Sequence, residues 1–310
     1  MCRCKGRKHF SDCRWVKYRK DSIRKINEMR SRFNRINTRT LPAGQVAANN
    51  EDRKMATKKA AKAAQIDILQ IKTGKMTVCI LGRTPIILHR LSQKAQRELL
   101  MPGKKKNAAE KASSLKHDPV QEFRDAPYLA PQGSDTYLRF SPIAFKAALR
   151  NAALDIPGAT KTQLGRLTYV EGEWLDLYGI PKLFMAITRN SDMNRTPDVR
   201  TRAIVPKWAV KLTVCFVEPL IAAQTVSNLL AAAGVINGVG DWRPQKGSGT
   251  YGQFDIVNED DAEFQRIIKE CGYKAQEAAM KRAEPYDSET EELLSWFHEE
   301  ADNRGLKAVS

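Results

Sequence analysis

The segment from Gly238 to Gly252 has the residue types of a polyanion-binding loop. Glycine lets the backbone approach a phosphate closely because no side chain blocks the approach. Successive amide N–H groups can form an anion-binding nest, and aromatic rings can stack on bases. The alternative is that the glycines only turn the chain and the aromatic residues only pack. The candidate binding residues here are Gly238, Gly240, Trp242, Arg243, Lys246, Gly249, Tyr251 and Gly252.

Cationic side chains in two further segments could hold phosphates. Lys146 and Arg150 are four residues apart near the start of a predicted helix, so they share one face and could make contacts that do not depend on base sequence. The alternative for this pair is an ordinary solvated helix face. The basic, polar segment after residue 188 predicts a long loop or an exposed hairpin arm. Its candidate binding residues are Arg189, Arg195, Arg200 and Arg202.

Residues suited to catalysis are sparse. The histidines beyond the N-terminal arm are His89, His117 and His298, and only His89 is plausibly near a site. A structural histidine is the favoured interpretation of His89, given the partners that a general base needs. No nucleophile elbow, Walker loop or dinucleotide fingerprint is present, and the glycine-rich segment follows a predicted helix instead of opening one. Neither Asp192 nor Asp198 is expected to be catalytic, so we predict a binding protein, not an enzyme, without metal or cofactor.

The elements that must position these residues alternate between strand and helix. Apolar runs and alternating patterns predict strands, and stripes at spacings of three and four predict amphipathic helices. The order in the body is strand, helix, strand, repeated once, which predicts an α+β fold with a ferredoxin-like (βαββαβ) core and insertions. The main predicted strands are 76–81, 137–140, 183–187, 209–217 and 250–257, and the main predicted helices are 93–100, 142–156, 221–233, 259–271 and 288–303.

Charge is concentrated at the N-terminus. The chain has 310 residues and a net charge of +17, and residues 1–62 hold 19 Lys/Arg against 5 Asp/Glu. Such blocks of like charge usually stay disordered, so we predict a disordered basic arm at 1–62, a binding domain at 63–258 and a C-terminal helical segment at 259–310. Zinc binding by Cys2, Cys4, His9 and Cys13 fits no strong ligand spacing. A true start near Met55, which would leave the arm untranslated, is an alternative.

Composition also indicates a compartment. No run approaches the roughly 18–20 apolar residues of a membrane helix, and the basic N-terminus lacks the apolar region of a secretory signal. Cys79 and Cys215 lie in apolar runs and are interpreted as buried thiols in a reducing compartment. We therefore expect a cytoplasmic protein with no membrane partner.

Two of these segments resemble motifs of the RAMP superfamily, which supplies backbone and crRNA-handling subunits of CRISPR effector complexes. Residues 140–150 (FSPIAFKAALR) resemble its strand-to-helix motif, and residues 238–252 (GVGDWRPQKGSGTYG) resemble its glycine-rich loop. The resemblance covers roughly 75–257 and implies a ferredoxin-like fold, RNA as the ligand, and a thumb at the place of the arginine-bearing arm. Gln253 and Ala147 depart from the usual Arg and Gly, which favours a divergent branch, such as one encoded by a phage or mobile element.

Three functions remain open from the sequence. The first is a strand-binding subunit that holds RNA or single-stranded DNA and self-associates or joins other subunits in a ribonucleoprotein-like assembly, within a prokaryotic host cell. The second is a phage protein that binds single-stranded DNA during recombination. The third is a structural or assembly protein whose basic tail makes non-specific contacts.

Overall fold

The computed structural model describes residues 69–91, 93–101, 115–158, 160–189, 195–246 and 249–306. The strands are β1 (Lys72–Gly82), β2 (Ile86–Leu88), β3 (Tyr128–Leu129), β4 (Leu138–Phe140), β5 (Thr168–Val170), β6 (Leu175–Asp176), β7 (Lys182–Arg189), β8 (Pro197–Val205), β9 (Ala209–Glu218) and β10 (Phe254–Val257). The helices are α1 (Gln93–Leu100), α2 (Pro119–Asp125), α3 (Pro142–Ala152), α4 (Lys161–Leu167), α5 (Ala223–Ile236), α6 (Ala262–Glu270), α7 (Tyr273–Arg282) and α8 (Ser288–Asn303). This mixture of helices with antiparallel sheets confirms the predicted α+β class.

The largest sheet has four strands in the order β10, β1, β9, β5, and each neighbouring pair is antiparallel. The long ladder between β1 and β9 runs from Lys72 opposite Glu218 to Leu81 opposite Ala209. In β1 the residues from Val78 to Ile80 are buried on both faces, whereas the half before them exposes polar residues such as Lys75 and Thr77 on one face.

Helices α3 and α5 pack beside each other on one face of this sheet. The predicted stripe of α3 is confirmed at Phe145, Ala148, Leu149 and Ala152, all buried, whereas Ile156 lies beyond the end of the helix and is partly exposed. The Asn237 side-chain amide, at the end of α5, donates a hydrogen bond to the Ala148 carbonyl over 3.0 Å. On the other face, Phe264 and Ile267 of α6 pack against Cys79 and Ala209.

A second sheet has three strands in the order β2, β8, β7. Strands β7 and β8 form an antiparallel hairpin, with Arg189 opposite Pro197 at its far end. The prediction of a long loop or an exposed hairpin arm was wrong for the inner half of this segment, because Ala203, Ile204 and Val205 are fully buried in the central strand. The exposed residues of the hairpin lie in its outer half, towards Arg189 and Pro197.

A third, smaller sheet has the order β3, β4, β6 and leads directly into α3. The C-terminal helices pack on these sheets through two buried polar side chains. Gln276 of α7 accepts hydrogen bonds from the Tyr137 and Leu138 amides and donates to the Leu177 and Gly179 carbonyls. Thr290 of α8 accepts one from the Met185 amide over 3.2 Å.

Several element boundaries differ from the sequence predictions. Helix α4 was not predicted, and its capping box of Thr160 and Gln163 was the missed signal. Helices α2 and α7 were also missed, whereas α1 and α8 match their predicted bounds. The arm at 1–62, its cysteines and Met55 lie outside the described residues, as does Asp192. The domain boundaries at 62 and 258 stay predictions.

Candidate nucleic-acid interface

The glycine-rich loop, residues 237–253, donates most of its described amide N–H groups to its own chain. The Val239 amide donates to the Gly252 carbonyl over 2.9 Å, the Asp241 amide to Ile87 over 3.0 Å, and the Gly252 amide to Pro85 over 2.8 Å. An amide that is already paired inside the protein has no hydrogen to offer a phosphate. The predicted nest of successive amides therefore does not form at these positions.

The glycines have a packing role instead. At Gly240, where φ is +84°, a Cβ would lie 2.8 Å from the Ile87 carbonyl oxygen, and at Gly252, where φ is +71°, it would lie 1.7 Å from the Val239 carbonyl oxygen. Only glycine fits such close backbone contacts at positive φ. This finding supports the alternative in which glycine turns the chain, and it fixes the corner at 240–243 against β2.

That corner opens onto two adjoining clefts that share Ile87, His89 and Asp241. The first cleft continues towards β4 and the start of α3, and the second runs along the outer half of the hairpin. We call the two clefts together the arginine groove. Its arginines come from four separate segments and are Arg139, Arg189, Arg200, Arg202 and Arg243.

One carboxylate, Asp241, lies among the described lining residues, at the centre of the groove. Its Oδ2 is 3.5 Å from His89 Nδ1 and 3.7 Å from Arg202 Nε. Burial lowers the pKa of His89 from its usual value, and Arg202 lowers it further, while Asp241 opposes both. His89 is therefore neutral near pH 7, and the five arginines outweigh the single carboxylate.

Two groove arginines have an unsatisfied donor. The Nε atoms of Arg139 and Arg202 are buried and have no hydrogen-bond partner in the described part of the chain, since Asp241 Oδ2 is 3.7 Å from Arg202 Nε; the Nε of Arg150, outside the groove, is unpaired in the same way. A buried N–H without an acceptor costs about 1–3 kcal/mol. An oxygen-rich ligand in the groove would supply acceptors and remove that cost.

Two further groove arginines, Arg243 and Arg200, are held in place by neighbouring groups. Arg243 donates from Nη1 to the Gly240 carbonyl over 2.8 Å, so it also ties the corner of the loop. Arg200 pairs with Asp198 over 3.2 Å. Asp198 is itself nearly buried and also contacts Lys116 and His117 over 2.7 and 3.1 Å. These contacts leave the guanidinium groups at the groove preorganised.

The aromatic residues of the loop pack more than was expected. Trp242 and Tyr251 lie in a cluster with Phe184, with ring centroids 6.1 and 6.3 Å from that residue. Trp242 still lines the second cleft, whereas Tyr251 is part of neither cleft wall. Burial raises the pKa of Tyr251. The stacking role predicted for Tyr251 is therefore not supported by its position, and that for Trp242 stays a prediction.

The structure does not bring all the predicted residues together. Arg189, Arg200, Arg202, Gly240, Trp242 and Arg243 line the groove. Outside its described walls lie Lys146, Arg150, Arg195, Gly238, Lys246, Gly249, Tyr251 and Gly252. The stem of Arg150 packs towards α4, since a Cβ on Gly165 would lie 3.0 Å from Arg150 Cδ. Binding by this second group stays a prediction without support from the groove.

Sequence reasoning missed Arg139 and Asp241 and set His89 aside as structural. Arg139 could have been found from alternation, because Leu138 and Phe140 on either side are apolar and the middle residue of such a strand must face outwards. Asp241 and His89 had no such signal, since their approach depends on the contact between the loop and β2.

Among the described residues, no group of three or more His, Cys, Asp or Glu side chains is arranged to hold a metal ion. Within the same residues, no helix is long and apolar enough to cross a bilayer.

Comparisons with known proteins give distant structural likenesses only. No known protein-family profile matches the chain, and no curated protein matches its sequence. A chain of the Type III-B Cmr-beta complex bound to cognate target RNA is 14% identical with a TM-score of 0.31, over 76% of this chain and 75% of that one. Cmr6 from Pyrococcus furiosus is 12% identical with a TM-score of 0.26, over 61% of this chain and all of that one. These values are too low to establish a common fold.

Proposed function

We propose that the protein binds a nucleic-acid strand, RNA or single-stranded DNA, through phosphate contacts in the arginine groove. The observation that carries the proposal is that five arginines from four segments line the two clefts, whose described walls contain one carboxylate. Guanidinium groups match phosphate geometry and stay charged at every physiological pH. A row of them suits a chain of phosphates better than one small anion, because their charges are spread along the groove.

We further propose that the four-stranded sheet with α3 and α5 forms a ferredoxin-like core of RAMP type, and that the protein acts as a subunit of a larger assembly. The strand order β10, β1, β9, β5 supports this, because the fourth, first, third and second strands of a βαββαβ unit lie side by side in that order. The two motifs that resemble the RAMP superfamily lie at the start of α3, the helix of the first half, and between α5 and β10 in the second half.

Binding should be measured with the full chain on RNA, single-stranded DNA and duplex DNA of one length, across a range of salt concentrations. Each neutralised phosphate of a single strand contributes about −0.7 to the slope of log affinity against log salt, so five arginine contacts predict about −3.5. The ratio of the RNA and DNA affinities then separates an RNA-binding subunit from a phage DNA-binding protein.

The basic arm offers a competing explanation for any binding that is seen, because residues 1–62 carry a net charge of +14. A variant lacking residues 1–54 tests this. If the groove is the site, the shortened chain keeps binding, and glutamine substitutions at Arg189 and Arg202 weaken it. Loss of all binding with the arm would instead support a structural protein with a non-specific tail and would refute the groove.

A further inference from the structure

The small sheet of β3, β4 and β6 has one buried face and one outer face. Leu138 and Leu175 belong to the core. Tyr128 is directly opposite Arg139, and Arg139 is directly opposite Asp176. Paired residues on neighbouring strands share a face, and so do residues two apart along one strand. Trp174, two residues before Asp176, therefore joins Tyr128 and Arg139 on the outer face.

These outer residues form a continuous stack of rings and guanidinium groups. The centroids of Tyr128 and Trp174 are 4.6 Å apart, with an angle of 42° between the ring planes. The Arg139 guanidinium carbon lies 4.9 Å from the Trp174 centroid, and that of Arg90 lies 5.3 Å from the Tyr128 centroid. Guanidinium groups and aromatic rings attract each other in this arrangement, so the stack is preorganised.

The stack is continuous with the arginine groove. Tyr128 and Arg139 both line the first cleft, beside the corner of the loop at Gly240 and Arg243. Tyr128 is 37% exposed. By contrast, Tyr137, one residue before β4, is covered by Tyr273 of α7 with ring centroids 5.2 Å apart. Both tyrosines thus contact a ring from another segment, but Tyr128 lines the first cleft and Tyr137 does not.

A purely structural cation–aromatic cluster would leave two features unexplained. The Arg139 Nε is buried without an acceptor, although a stacked guanidinium still presents its donors along its edge. The exposed part of the Tyr128 ring lies at the mouth of a cationic cleft, where a flat partner that carries hydrogen-bond acceptors would cover it. A nucleobase is such a partner.

We propose that Tyr128 and Trp174 form a stacking platform for unpaired bases of the strand whose phosphates lie in the arginine groove. This inference rests on the proposed function and adds a base-contacting site to it. A base would take the place of the Arg90 guanidinium over the Tyr128 ring, while Arg139 donates to the base edge or to the adjoining phosphate. Because the faces of paired bases are covered by their neighbours, the platform selects single strands over duplex.

The test uses two probes of about 12 nucleotides, within the range that single-strand-binding domains cover. One is an oligothymidylate, and the other is an abasic deoxyribose-phosphate strand of equal length. The full chain should prefer the oligothymidylate by about 5- to 150-fold for each stacked base. Tyr128→Ala and Trp174→Ala should abolish the preference and leave the affinity for the abasic strand unchanged. Tyr128→Phe and Trp174→Phe should keep most of the preference for the oligothymidylate.

Trp296→Ala is the matched control, since Trp296 lies on α8 with 61% of its surface exposed and is not part of the described groove. It should keep the preference. Should the alanine variants fail to fold, the unmodified chain still gives a result: a strand that carries 5-bromouracil should photocrosslink to Tyr128 or Trp174, as mapped by mass spectrometry.

Different failures separate the two proposals. If Arg189→Gln with Arg202→Gln weakens binding to both probes but the aromatic variants retain the preference, the platform is refuted and the groove stands. Equal weakening of both probes by the aromatic variants would mean a structural role and would also refute the platform. If the arginine variants leave both affinities unchanged, the proposed function itself fails.

Discussion

Helix α3 and the hairpin of β7 and β8 both carry cations that the sequence singled out, but only the hairpin delivers them to the groove. In α3, the stem of Arg150 packs towards Gly165 of α4. In the hairpin, Arg200 and Arg202 lie two apart on β8, so both project from one face, and that face meets Trp242 and Asp241. A basic residue on a predicted element thus says little about binding until the neighbouring elements are known.

The loop between these two regions explains the difference. Its first end is tied to α3 through Asn237 and Ala148. Its far side reaches β2 through the Asp241 amide and the Ile87 carbonyl. The loop therefore places its corner between the first cleft, at the start of α3, and the second cleft, along the hairpin, whereas Lys146 and Arg150 line neither cleft.

The largest expected effect comes from breaking the loop. Gly252→Ala should lower the free energy of unfolding by about 3 kcal/mol, because positive φ strains alanine by about 1–3 kcal/mol and a Cβ would also lie 1.7 Å from the Val239 carbonyl oxygen. Denaturant unfolding measures this. Gly133→Ala is the control, since its φ is +91° but nothing lies within 4 Å of the added carbon. Equal losses in the two variants would mean that the close packing at Gly252 contributes nothing.

The next effect compares the two cationic regions directly. Replacing Arg189 and Arg202 by glutamine should reduce strand affinity about 30-fold, which corresponds to about 1 kcal/mol for each lost charged contact. Replacing Lys146 and Arg150 by glutamine should change it by less than about 3-fold, because neither side chain lines the groove and charges at a distance are screened by salt. Both variants have the same net charge, so any difference between their affinities in a filter-binding titration is due to where the lost charges lie. A greater loss from the α3 pair would reverse the comparison and restore the site predicted from the sequence.

The sequence predicted a feature correctly where that feature depends on a single helix or strand. The stripe of Phe145, Ala148, Leu149 and Ala152 and the bounds of α8 follow from helical periodicity alone. The groove depends instead on contacts between distant segments, such as His89 with Asp241, more than 150 residues away along the chain. The glycine loop was located correctly, but its chemistry was assigned to amide groups because its hydrogen-bond partners at Pro85 and Ile87 lie on β2 and the turn before it.

A smaller effect concerns how the hairpin is held. His117 contacts Glu122 over 2.8 Å and Asp198 over 3.1 Å, and hydrogen bonding to Glu122 raises the pKa of His117 above its usual 6.5. The folded state therefore binds this proton more tightly than the unfolded state does. The resulting stability is fully present below about pH 6.5 and is lost as the pH rises through the raised pKa.

His117→Gln should accordingly lower the free energy of unfolding by about 1 kcal/mol more at about pH 5.5 than at about pH 8.5. This difference is the typical net contribution of one hydrogen bond. Thermal unfolding of the variant and the unmodified chain at both pH values measures the difference. His298→Gln, on α8, serves as the control. A loss for His117→Gln that is the same at both pH values would show that the protonated ring does not clamp the hairpin.

The smallest effect concerns His89 at the centre of the groove. Burial and Arg202 lower the pKa of His89 in the free protein, but a phosphate in the groove would offset the charge of Arg202 and stabilise the protonated ring. Binding should therefore take up a proton, and affinity should rise by about 3-fold more between about pH 7.5 and pH 5.5 in the unmodified chain than in His89→Gln. An identical pH profile in both chains would place the phosphates away from His89, on the outer half of the hairpin. Because His89 lines both clefts whereas Lys146 and Arg150 line neither, a pH dependence that requires His89 would place the strand in the groove and not on α3.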